Sequence, residues 1–91
     1  MSVNVTRLEL YDSSFKPKSS FQPGEPFWLR VYLTSTGSPP PTIRLQITLD
    51  GSVVKEDVVA SPPTGVEAYV NYQLAAPSQA GSHSVCAEVV G

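Results

Sequence analysis

Proline removes a backbone hydrogen-bond donor and glycine favours turns, so together they mark where regular structure must stop. Nine prolines and six glycines leave six uninterrupted stretches in this chain, at 1–16, 27–36, 42–50, 52–61, 66–76 and 82–90. Each is of strand length, and only the first has room for a helix of average size. The side-chain pattern decides the type. Phe27, Leu29, Val31 and Leu33 alternate with Trp28, Arg30, Tyr32 and Thr34. Ile43, Leu45, Ile47 and Leu49 alternate with Thr42, Arg44, Gln46 and Thr48, and Val66, Ala68, Val70, Tyr72 and Leu74 with Glu67, Tyr69, Asn71 and Gln73. A period of two puts one set on a core and the other towards solvent, as antiparallel sheets require.

The other three stretches carry weaker patterns. Val85, Ala87 and Val89 alternate with Ser84, Cys86 and Glu88, which predicts a last strand from about His83 to Val90. Two valine pairs flank Lys55, Glu56 and Asp57, so the inward register of 53–59 is ambiguous, as is common at a charged sheet edge. In the first stretch Val3 and Val5 share one parity and Leu8 and Leu10 the other. A bulge, or a strand crossing between sheets, produces such a switch; a frayed end is the alternative. Asp50-Gly51 between two apolar runs is a strong hairpin signal, because a primed turn needs positive φ. Residues 12–26 form the longest irregular segment, whose Phe15 and Phe21 are expected to tuck under the sheet beside the core. Six short strands with regular turn signals predict an all-β fold, an immunoglobulin-like antiparallel β-sandwich of six to seven strands with Greek-key connections.

Composition then excludes several functions. Of the 91 residues 41% are hydrophobic, enough for the core of one small domain and too many for a disordered chain. A single cysteine permits no internal disulfide. No apolar run approaches the roughly 18 residues of a membrane span, and no secretory leader opens the chain, so membrane insertion is not expected. A net charge of −2, with acids outnumbering the six basic residues, argues against a nucleic-acid surface.

Catalysis needs a nucleophile, a base and an orienting group in one place. The one histidine, His83, and the one cysteine, Cys86, are three apart, which on a strand places them on opposite faces. His83, beside Gly81 at a strand entrance, reads as a solvated or loop-packing residue. Cys86 is outward by parity and could link two chains, but a single cysteine in a strand reads first as an inert, partly buried apolar residue. The acidic residues are scattered without the spacing of a calcium loop, and a transition metal would lack ligands. No glycine-rich phosphate loop is present. Asn4-Val5-Thr6 matches a glycosylation acceptor, but two solvent-facing strand residues explain it as well. No enzyme, cofactor or metal site is expected.

One surface is a candidate. The second and fifth strands of such sandwiches are neighbours, which brings Trp28, Arg30 and Tyr32 beside Glu67, Tyr69 and Asn71. Exposed tryptophan and tyrosine suit protein contacts and stacking on sugars. Cross-strand aromatic pairs also stabilise sheets without binding anything, and the 12–26 segment offers a cover for Trp28.

The motif order resembles the CARDB domains, cell-adhesion-related modules of bacteria and archaea. Phe21-Gln22-Pro23-Gly24-Glu25-Pro26-Phe27 is similar to that family's lead-in to its second strand. Thr36-Gly37, Asp50-Gly51 with Val53-Val54, and Ala80-Gly81-Ser82-His83-Ser84-Val85 follow in the family's order. Ser35 stands where members often have asparagine, and the family's later asparagine- and glutamate-rich segment has no counterpart here. The resemblance implies one non-catalytic structural or adhesion domain over 1–91, excised from a larger extracellular or cell-surface protein, with neighbouring domains or another surface protein as partners. Two alternatives stand beside it. One is a carbohydrate-binding module that takes a glycan on the aromatic face. The other is an assembly unit that accepts a strand at an open sheet edge.

Overall fold

The computed structural model describes residues 2–90; Met1 and Gly91, the ends of the expected domain, lie outside them. Six strands account for the regular structure: β1 (Val3–Tyr11), β2 (Pro26–Ser35), β3 (Thr42–Leu49), β4 (Ser52–Ala60), β5 (Ala68–Ala75) and β6 (Val85–Val89). They form two three-stranded antiparallel sheets, ordered β1-β2-β5 and β4-β3-β6. The described residues contain no helix, and so none long and apolar enough to cross a membrane.

The central strand of each sheet carries the core, because only a central strand is flanked on both sides. Phe27, Leu29, Val31 and Leu33 of β2 face Ile43, Leu45 and Ile47 of β3, joined by Val3 and Tyr72. Leu29, Val31, Leu45 and Ile47 are inaccessible to solvent. The expected alternation therefore holds on both strands, and on β5 it holds from Ala68 onward. β4 pairs only with β3, with most of its residues exposed, as its mixed pattern predicts for an edge.

The parity switch in β1 is a bulge. Val5 pairs with Leu33 and Arg7 with Tyr32, leaving Thr6 as the extra residue. One added residue rotates the rest of the strand by half a period, so Val3, Val5, Leu8 and Leu10 all pack on the core. Asp50 and Gly51 turn between β3 and β4 at φ 51° and 83°, the doubly positive geometry that their sequence predicts.

Three local expectations are corrected. Val66 is about half exposed and precedes β5, because its N–H bonds back to the Pro63 carbonyl at 3.1 Å and delays the strand to Ala68. β6 begins at Val85 instead of His83, whose side chain is engaged in loop contacts. Phe15 is not under the sheet. It lies exposed on the outer side with its ring stacked on Trp28 at 4.8 Å, while Phe21 does pack inward, 5.0 Å from Phe27.

The two long sides of the sandwich differ. On the β4–β5 side the Tyr72 hydroxyl donates to Asp57 at 2.9 Å and ties the sheets together. Burial, then that bond, raises the Tyr72 pKa well above the ordinary tyrosine value. On the other side β1 and β6 approach closely without pairing.

Candidate functional site

Alternation sends the odd-man-out residues of β2 to the outer face of its sheet, and the register decides what each one meets. Trp28 lies opposite Tyr11 and Gln73, Arg30 opposite Glu9 and Asn71, and Tyr32 opposite Arg7 and Tyr69. Trp28, Arg30, Tyr32, Tyr69 and Asn71 are thus brought together on one face. Glu67 precedes β5 and reaches the same face through its carboxylate. Sequence reasoning missed the contribution of β1. The signal was present, since Arg7, Glu9 and Tyr11 have the parity opposite to Leu8 and Leu10, but it is readable only once the bulge is placed.

The face is a connected network in which Tyr69 and Phe15 remain exposed. Arg7 donates to Glu9 at 2.8 Å and to Glu67 at 3.2 Å, and its guanidinium sits 3.7 Å from the Tyr32 ring centre. Glu67 also accepts from the Thr6 hydroxyl at 3.0 Å, so the bulge residue is tied in. Glu9 accepts from the hydroxyls of Tyr11 and Tyr32. Arg30 donates to Asn71 at 2.9 Å and lies over the rings of Tyr69, at 4.2 Å, and Tyr11, at 4.9 Å. Phe15 covers Trp28, which leaves it half-buried.

Titration follows these contacts. The Tyr11 hydroxyl, then that of Tyr32, holds the Glu9 carboxyl below its ordinary range, and Glu9 in turn pushes Tyr11 up to about 12. The bond from Arg7, then that from Thr6, lowers Glu67. Each shift favours the charged carboxylate that the arginines and hydroxyls already bind. The chemistry of the face is that of a cross-strand lattice, with guanidinium groups bridging rings and carboxylates.

Elsewhere, His83 bridges loops. Its Nδ1 lies 2.5 Å from Asp50 and its Nε2 2.8 Å from the Gln79 carbonyl, which bears out loop packing and engages neither ring nitrogen with a thiol. Cys86 is exposed on β6, as its strand parity predicts, and is not the partly buried apolar residue expected of a lone strand cysteine. No three His, Cys, Asp or Glu side chains among the described residues are grouped to hold a metal ion. A cavity of about 330 Å³ opens between residues 20–23 and 76–83, lined chiefly by Leu10, Phe21, Phe27, Leu49 and Val85. It results from loops that fold over the end of the sandwich, which alternation along the strands does not reveal.

These features define the class of protein as all-β, with two facing antiparallel sheets. A scan against protein-family models finds no match, and searches of curated proteins and of solved structures find none.

Proposed function

We propose that the chain is a non-catalytic structural or adhesion module of immunoglobulin-like type, part of a surface or secreted protein whose neighbouring domains are its partners. The strand order supports the type. β1-β2-β5 facing β4-β3-β6 is the order that strands A, B, E and C′, C, F of a Greek-key sandwich of this type would give. The CARDB-like motif order over about residues 21–90 supports the same assignment.

The observation that carries the functional reading is the self-paired outer face. A binding surface keeps some polar groups and ring faces free for its ligand. Here the candidate residues spend theirs on one another: Arg30 on Asn71 and Tyr69, Arg7 on Tyr32 and Glu67, Phe15 on Trp28. Such a lattice stiffens a sheet, which suits a module that holds position or transmits load. The same occupancy weighs against sugar stacking on Trp28 and Tyr32, whereas Tyr69, the third aromatic of that alternative, stays about half exposed beside Arg30.

A glycan array together with thermal unfolding tests this reading. We expect no glycan above background, and Trp28→Ala to lower stability by about 1–3 kcal/mol, in the range of ordinary packing losses. Saturable glycan binding that Trp28→Ala abolishes without lowering stability overturns it.

A further inference from the structure

The edges of β1 and β6 face each other across an unpaired seam, and backbone parity shows what that seam presents. In an antiparallel strand the N–H and C=O of one residue point to the same side and alternate along the chain. The Ser84 carbonyl accepts from Asp50, and the Val90 N–H donates to Arg44, so the even-numbered residues of this segment face β3. Val85, Ala87 and Val89 consequently turn their N–H and C=O groups outward, where no other described strand pairs with them. On the opposite bank the Ser2 carbonyl bonds to Thr36 on the β2 side, which turns the backbone groups of Val3 and Val5 towards the seam.

Between the banks runs a groove of about 250 Å³, lined by Val3, Asn4, Val5, Ala87, Glu88 and Val89. The inward side chains at its floor, Val5, Ala87 and Val89, are only half-buried. At the far end Leu10 and Val85 line the larger cavity, so β1 and β6 run antiparallel along the seam. Glu88 flanks the groove on the outer side, exposed and in no ion pair among the described residues.

We propose that this seam is a docking site for one extended strand of another polypeptide, added antiparallel to β6 with alternating apolar residues and a basic residue opposite Glu88. Three considerations select that occupant. The outward groups are directional backbone donors and acceptors at every second residue, which only an extended backbone matches throughout. They stand on two banks, and a lone strand engages both, whereas the sheet edge of a second copy has one side already paired. The uncompensated Glu88 carboxylate favours a cation on the cross-strand neighbour. Strands pair at about 4.8 Å, so a strand between two others needs about 10 Å. Some Cα atoms of β1 and β6 lie 8 Å apart or less, so the seam must widen by at least about 2 Å to admit it. Apolar side chains opposite Val85, Ala87 and Val89 then point inward and cover the half-buried floor. This inference deepens the reading of the chain as a structural module by specifying how it joins another chain, and it rests on that reading.

Amide hydrogen exchange on the whole chain tests it, with the synthetic peptide Ser-Val-Lys-Val-Thr-Val-Ser as probe. Without peptide, the amides of Val85, Ala87 and Val89 are expected to exchange at least about tenfold faster than those of Cys86, Glu88 and Val90. Peptide slows the three fast amides to the rate of their neighbours. A peptide with N-methylated valines leaves them fast, and one with glutamate in place of lysine binds about fivefold more weakly. Uniformly slow exchange in the free chain overturns the proposal, because the edge is then already paired. So does peptide binding that leaves the three amides fast. Protection that rises with protein concentration alone also overturns it, since a second copy then occupies the edge. None of these failures touches the non-catalytic reading, which the glycan array and the unfolding of Trp28→Ala decide separately.

Discussion

Ser35 closes β2 with its side chain buried and its Oγ without a hydrogen-bond partner among the described residues. A buried hydroxyl in that state pays desolvation with nothing in return, typically 1–3 kcal/mol. Ser35→Ala is therefore expected to stabilise the fold by about 1 kcal/mol, which raises the melting midpoint of a domain this size by about 4–8 °C. A lowered midpoint in calorimetry would count against that assignment. Tyr72 is the opposite case, since its hydroxyl is the tie to Asp57 across the sheets. Tyr72→Phe keeps the ring in the core but leaves a half-buried carboxylate short of a partner, and should cost about 1–3 kcal/mol in urea unfolding. His83 sets a pH dependence. Both ring nitrogens face acceptors, and only the protonated imidazole donates from both. Asp50, then the Gln79 carbonyl, accordingly raises its pKa. Because the folded value lies above the unfolded one, this stabilisation is complete below about pH 6.5 and is lost as pH rises through the folded value. A ring titration by NMR should show the raised midpoint, and Asp50→Asn should bring it down.

At the scale of elements, the bulge in β1 yields the sharpest prediction. Val5 and Arg7 already oppose the consecutive residues Leu33 and Tyr32. Deleting Thr6 therefore gives a regular ladder with Val3, Val5, Leu8 and Leu10 still inward, and should cost about 1 kcal/mol or less. Deleting Glu9 instead throws Leu10 to the outer face, and should lower the melting midpoint markedly more. Much of this fold was legible because burial and alternation share a period in Leu29, Val31, Leu45 and Ile47. Asp50-Gly51 was legible because its turn demands positive φ. The excursion of residues 12–25 was not, because its course depends on bonds remote in sequence. Gly24 donates to the Ala76 carbonyl, and Asp12 accepts from the N–H groups of Ser14 and Lys16, which sets the turn that holds Phe15 at φ 60° over Trp28. Of the candidate face, the aromatics followed from parity. Their occupation by Arg7 and Glu9 needed a register that no local pattern specifies.

For the whole molecule, a thin core between two three-stranded sheets leaves little reserve. Leu45→Ala removes a fully buried side chain at the centre of one sheet and should cost about 2–5 kcal/mol, a large share of the 5–15 kcal/mol typical of natural domains. Acid acts on the surface network. Glu9, Asp12, Glu25, Asp50 and Glu67 all have lowered pKa values, mainly through hydrogen bonds from Tyr11, Lys16, Lys18, Ser84 and Arg7 respectively. Their folded values lie below the unfolded ones, so their contribution is present above the ordinary carboxylate range and is lost as pH falls through the folded values. Urea midpoints should therefore drop between pH 5 and pH 2, and most of the drop should persist in His83→Ala.

The unpaired seam also fixes how the domain responds to tension. Ser2 and Val90 flank two antiparallel strands that lie side by side without pairing as neighbours in either sheet of the described residues. A force pulling those ends apart loads the β1–β2 and β3–β6 ladders one rung at a time from their terminal pairs, as a zip opens. Rungs that break in sequence yield at lower force than rungs loaded together. A strand seated between β1 and β6 would carry part of that load in shear, so the partner that fills the groove would also harden the domain against stretching.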